Sequence, residues 1–274
     1  MRRMDALAVA GGLVVVAAIV LAVAAPALAP GDPIKNSLLD RLTSPTWGRE
    51  HPLGTDTLGR DVASRLLHGA RVSLVVGFSA VGLAGIVGVG LGLVSGWYRG
   101  WLDDVLMRLG DVQLAFPVLV LAVAVLAVLG ASVLNLILVL GVTGWITYAR
   151  IVRGEVLALR ERDFVKLAEI NGISKVRIIF RHLLPNVMNT VMVLFSLQVG
   201  VAVIIEASLS FLGVGVPPPE PSWGLMMAEG RDALMEGSWW LAVFPGICIS
   251  LLVLSANMLG DWMRIRLDPQ LRNR

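Results

Sequence analysis

Residues 150–186 read RIVRGEVLALRERDFVKLAEINGISKVRIIFRHLLPN, a charged island set between two long apolar runs. The island holds eight Lys or Arg residues and four acids. Charge at that density is excluded from hydrocarbon, so the segment must stand in water. It is not a shapeless loop, because Val156, Leu157, Leu159, Phe164, Val165, Leu167, Ala168 and Ile170 recur at helical spacing. Gly172 interrupts the pattern, a second short helix is expected over 176–184, and Pro185 should stop it. A helix–Gly–helix held outside an otherwise apolar chain reads as a docking element for a soluble partner.

The flanks of the island decide the class. The chain has 274 residues, 56% of them hydrophobic and 16% charged, with a net charge of +3. That balance describes an all-α polytopic membrane protein. The basic excess calls for no nucleic acid, since Lys and Arg collect on cytoplasmic loops of such proteins. Cys248 is the only cysteine, which excludes an intramolecular disulfide and a cysteine-based metal site. Arg2 and Arg3 precede an apolar run, and Ala27-Leu28-Ala29 resembles a signal-peptidase site. The run over 7–29 exceeds the roughly 7–15 residues of a signal-peptide core, which favours a retained transmembrane helix.

Six spans are expected, each near the roughly 20 residues that cross a bilayer: 7–29, 72–97, 114–129, 133–149, 187–212 and 239–260. The third and fourth come from one apolar run over 112–149, too long for a single crossing and divided here at Gly130-Ala131-Ser132. Gly88, Gly92 and Gly96 in the second span allow close helix approach, read as packing within the subunit. Trp97, Trp101, Trp239, Trp240 and Trp262 fall near span ends, as an interfacial belt would place them. Two regions follow: 1–71, a transmembrane helix and an external polar segment, and 72–274, a five-helix core carrying the loop 150–186. Sixteen of the 23 basic residues lie on the side of both termini, a short loop expected over 98–111, and the island, so that side is expected to be cytoplasmic.

No catalytic constellation is visible. The chain has no Gly-Lys pair for a P-loop, no HExxH and no GxSxG, and His51, His68 and His182 are scattered. No catalytic residue, metal site or cofactor of its own is expected. Glu206 lies inside the fifth span, where a carboxylate must be neutral, paired or facing water. With Ser208 and Ser210 it is a candidate for the wall of a translocation pathway; a structural hydrogen bond to a partner subunit or to the turn at 213–219 is the other reading. Over 54–71, Asp56, Arg60, Asp61 and Arg65 are spaced either to meet a partner or to form an interfacial helix held by its own ion pairs.

The island resembles the cytoplasmic loop of permease subunits of binding-protein-dependent ABC importers. That family's pattern is Glu-Ala-Ala, three residues, Gly, nine residues, then Ile-x-Leu-Pro. Lys166, Leu167, Ala168, Gly172, His182, Leu184 and Pro185 occupy its positions here, so the glycine, the Leu-Pro and the spacing match, whereas the acid and first alanine do not. Further stretches, GTDTLGRDVASRLLHGARVSL (54–74), DVQLAFP (111–117), EASLSFLGVG (206–215), PSWG (221–224), FPG (244–246) and LGDWMRIRLDPQLR (259–272), are similar to the dipeptide, oligopeptide and nickel group, and to its second, C-type permease.

The resemblance implies the type I ABC importer permease fold, in the bacterial plasma (inner) membrane with both termini cytoplasmic. It implies a heterodimer with a homologous permease, two cytoplasmic ABC ATPases that bind ATP and Mg, an extracytoplasmic substrate-binding protein, and peptides or nickel as cargo. Contacts to the ATPase would come from Asp163, Phe164, Val165, Lys166, Leu167, Ala168, Glu169, Gly172, Ser174 and Pro185. The competing readings are a stand-alone secondary transporter or channel, which would favour inverted repeats and several intramembrane charges, and an intramembrane enzyme, which would need a catalytic cluster inside a span.

Overall fold

A computed structural model describes residues 2–46 and 51–267, with side chains from Asp5 onward. The arrangement is all-helical: α1 (Arg2–Leu28), α2 (Val62–Tyr98), α3 (Gly100–Leu114), α4 (Val118–Leu129), α5 (Val133–Arg160), α6 (Asp163–Ile170), α7 (Lys175–Ile178), α8 (Leu184–Phe211), α9 (Trp223–Met235) and α10 (Trp240–Leu267). Five segments are long and apolar enough to cross a membrane, and six if α3 and α4, bent by 90° at their junction, count as one broken span. The chain is an all-α polytopic membrane protein.

At the centre is α2, which runs along α5 on one side and α8 on the other. Its glycines make that possible. A Cβ on Gly92 would sit 2.7 Å from the Ala149 carbonyl oxygen, and one on Gly96 would sit 2.8 Å from Val156 Cβ. The stripe is therefore spent inside the subunit, against α5, as expected. On the far side α10 lies against α8, and α1 lies against α10 and α2. There, a Cβ on Gly11 would stand 3.0 Å from the Ser255 carbonyl oxygen. The side chains of Arg2 and Arg3, and residues 268–274, which include the end of the C-terminal match, lie outside the described residues.

Four expectations need correction. First, α2 starts ten residues before the second span was expected to, because Asp61 caps it through the Ser64 amide at 2.7 Å. The division drawn at residue 71 therefore falls inside one continuous helix. Second, the loop expected over 98–111 is α3, and the apolar run over 112–149 breaks twice: at Gly130–Ser132 as expected, and again before Pro117, whose ring forbids continuation. Third, the first third of the island is not a separate helix. It continues α5 to Arg160, with Val152 and Val156 fully buried on α2. Fourth, Pro185 does not stop the helix before it. It sits in the first turn of α8, where its missing N–H costs nothing. α7 reaches it through a π turn over Ile179–Leu183, with the Leu184 amide donating to Ile179.

The helix α9 also went unread behind the prolines at 217–221. The tryptophan belt divides: Trp101 and Trp239 are open, whereas Trp97 and Trp240 are buried in the chain, Trp240 donating to the Thr55 carbonyl at 3.1 Å.

Candidate functional site

The island builds a short platform at one end of the bundle. α6 follows an extended Arg162 and opens on Asp163, an acid well placed at a helix N-terminus. Its eight residues split into two faces. Val165 and Ala168 are buried against Ile178, Ile179, Leu183 and Val187 of the following segment. Phe164, Leu167 and Ile170 point the other way and are 42%, 56% and 80% exposed. The three-residue spacing of these last puts them on one stripe. Asp163, Lys166 and Glu169 are exposed around it, as are Ser174 at the start of α7 and Pro185.

Gly172 ends α6 in a Schellman turn. Its amide donates to Glu169 at 2.9 Å and the Ile173 amide to Ala168 at 3.1 Å. Its φ of +73° is one that L side chains resist. Beyond the turn, Val176 and Phe180 are also exposed, at 60% and 63%. Sequence reading passed over these two. Their four-residue spacing was the available signal, masked by Val165 and Ala168, which look equally apolar but face inward.

The platform is tied to the bundle by its charges. Arg160 donates to the Trp97 carbonyl at 2.7 Å and lies over that indole ring. Lys175 lies over the Tyr98 ring. Glu161 pairs with Lys166 at 3.2 Å and Arg99 at 3.5 Å. The hydrogen bond from Lys166, then its charge, hold the Glu161 carboxyl below the usual range.

The three candidates on α8 part company. Glu206 has no exposed surface; its two oxygens accept from Ser73 at 3.1 Å and Ser210 at 2.8 Å. Ser73 also accepts from the Trp223 amide at 3.3 Å, and Ser210 from the Val216 amide at 3.2 Å. Glu206 and Ser210 thus knit α2, α8 and the entry to α9 inside one subunit. Ser208 lies on a different, partly open face, and its hydroxyl donates to the Ile204 carbonyl at 2.8 Å.

At the opposite end of the bundle, residues 51–65 form a buried ionic cluster. Asp56 takes Arg60 at 2.6 Å and Arg65 at 2.7 Å; Glu229 of α9 takes the same two arginines at 3.0 and 2.7 Å. His51 pairs with Asp61 at 3.1 Å. Of the four charges read from the sequence, Asp56 pairs directly with Arg60 and Arg65, while Asp61 takes His51; the further acid, Glu229, lies 164 residues from Arg65, which no local pattern reveals. Among the described residues no group of His, Cys, Asp and Glu side chains is arranged to hold a metal ion.

Residues 88–273 match the family described as binding-protein-dependent transport system inner membrane component. The chain is 38% identical over 271 residues to a dipeptide transport system permease protein of Alkalihalophilus pseudofirmus, covering 99% of this chain and 88% of that one. It is 40% identical over 266 residues to a glutathione transport system permease protein of Pectobacterium atrosepticum, covering 97% and 88%. It is 41% identical over 268 residues to a di/tripeptide transport system permease protein of Pseudomonas aeruginosa, covering 96% and 88%. With the platform, the glycine-lined bundle and the match over most of its length in agreement, the chain belongs to the family of binding-protein-dependent transport system inner membrane components.

Proposed function

We propose that this chain is one permease half of an ATP-driven importer of short peptides, and that the α6–α7 platform is the handle by which a separate ATPase moves it. The observation that carries this reading is the division of α6. Two apolar residues anchor it to its own subunit, while Phe164, Leu167 and Ile170 stand open in a ring of charge. A helix that only floated on the subunit surface would have no reason to keep a second apolar face in water, since each exposed large side chain forgoes about 1.5–3 kcal/mol of burial.

In this reading a homologous permease completes the pathway, two ABC ATPases bind ATP and Mg and each receive one platform, and an extracytoplasmic binding protein delivers cargo. The α6 end and both termini are cytoplasmic, in keeping with the distribution of basic residues. Peptide cargo is favoured over nickel by the names of the relatives. The pathway wall is drawn from the open face of α8 around Ser208, with Glu206 and Ser210 holding that helix in place. Nothing observed favours a stand-alone carrier.

The test is cross-linking in the assembled transporter. Leu167→Cys should form a disulfide with cysteines in an ATPase surface groove, in a nucleotide-dependent way. Reporter fusions at residues 40 and 165 fix the sidedness. An extracytoplasmic residue 165, or uptake by the isolated chain in liposomes, ends the assignment.

A further inference from the structure

Between α5, α8 and α10, at the α6 end of the bundle, lies an open groove of about 780 Å³. That is within the roughly 300–1,000 Å³ of small-ligand sites. Its floor is one face of α8, including Asn189, Thr190 and Leu197. Glu155 of α5 enters from the side, half-buried, and accepts a hydrogen bond from Thr190. Arg162, where α5 turns into α6, and Arg264 of α10 stand exposed at the rim. Neither is in an ion pair with another described residue.

The charges restrict the occupant. Two guanidinium groups alone would suit any phosphate or anionic headgroup. The Glu155 carboxylate inside the same groove repels such a group. A ligand that satisfies both signs carries an anion and a cation of its own. The Asn189 amide, both donor and acceptor, adds the pairing that a peptide bond offers. The face also continues: at helical spacing beyond Leu197 come Val201, Ile204 and Ser208, all at least partly open. The groove is thus the inner end of the face that carries Ser208.

We infer that this groove is a subsite for a zwitterionic short peptide at the inner mouth of the pathway, with Arg162 and Arg264 receiving its carboxylate and Glu155 its ammonium group. The inference rests on the permease reading above and adds to it a place and a charge pattern.

The test uses the complete transporter in proteoliposomes with radiolabelled dialanine, its N-acetyl derivative and its C-terminal amide. Glu155→Gln keeps the Thr190 contact and removes the charge. It should lower dialanine uptake about tenfold relative to the N-acetyl derivative, as expected for one charge-assisted contact. Arg264→Gln should lower it about as much relative to the amide. Because the binding protein is the same throughout, a shift in these ratios belongs to the permease. Unshifted ratios in both variants overturn the subsite and leave the transporter reading intact. Failure of the unaltered complex to take up any of the three overturns the peptide reading and the subsite with it. In a second arm, Asn189→Cys should react with a water-soluble maleimide and be protected by dialanine. Labelling only by a lipid-soluble reagent would turn the groove toward the bilayer and overturn the subsite.

Discussion

Arg153 grips Asp103 with both arms of its guanidinium group: Nε and Nη2 each lie 2.6 Å from a different carboxylate oxygen. Ser95 of α2 donates to the same carboxylate. One acid therefore ties three helices together just above the platform. Asp103→Asn should cost about 1–2 kcal/mol, allowing for solvent screening at the partly exposed Arg153. The expected sign is a lower unfolding midpoint in detergent. The exchanged pair Asp103→Arg with Arg153→Asp should recover part of the loss, and an unchanged midpoint in the single variant would show the pair to be idle.

Gly172 gives a sharper test of the platform. An L side chain at φ +73° costs about 1–2 kcal/mol. Gly172→Ala should weaken α6 docking and lower stimulated ATP hydrolysis while insertion and amount of protein stay normal. Gly172→Asn should be milder, because asparagine tolerates that conformation. Gly172→Pro should abolish uptake, and normal uptake by this last variant would remove the platform from the mechanism.

The glycines of α2 predict a contrast between neighbours. Gly92 faces α5, where a Cβ would stand 2.9 Å from Val152 Cβ, whereas Gly90 meets nothing within 4 Å. Gly92→Val should destabilise the chain by about 1–3 kcal/mol through overpacking. Gly90→Ala should be neutral, or stabilising by up to about 1 kcal/mol through helix propensity. Thermal melts of the two proteins side by side decide the matter, and equal midpoints would contradict the observed packing.

Arg65 is almost fully buried and joins Asp56 to Glu229. Arg65→Ala leaves buried acid short of a partner and should cost about 3–5 kcal/mol. Arg65→Lys should rescue little, because a single ammonium cannot hold two carboxylates in the fork of a guanidinium. The proportion of folded protein after detergent extraction, followed by size-exclusion chromatography, reads both effects.

The sequence made the membrane class, the positions of most crossings and the platform legible because these depend on composition and short-range spacing. Gly172 could be read directly, since a helix stop before a second amphipathic segment leaves few other roles for it. What stayed hidden depends on contacts between distant segments. Val165 and Leu167 look alike in a helical repeat, and only the packing of α6 on Ile178 and Leu183 tells the anchor from the open face. Glu206 was recognised as costly to bury, but its partners Ser73 and Ser210 include one from another helix. α3 reads as a loop in the sequence because Asp103, Asp104 and Arg108 look like solvent-exposed charge, while Asp103 is in fact buried under Arg153.

The two limbs that leave the platform are not built alike. α5 is an unbroken rod of 28 residues, about 42 Å long. The limb on the other side passes through a π turn before its own 28-residue helix begins, with Pro185 in the first turn of that helix. A push on α6 would swing α5 as a stiff lever, whereas the α8 limb has a compliant joint in which the same push is partly absorbed as twist. On the proposed reading the stroke across the bilayer would thus be lopsided within a single subunit, and shortening or stiffening that joint would change its direction before it changed its force.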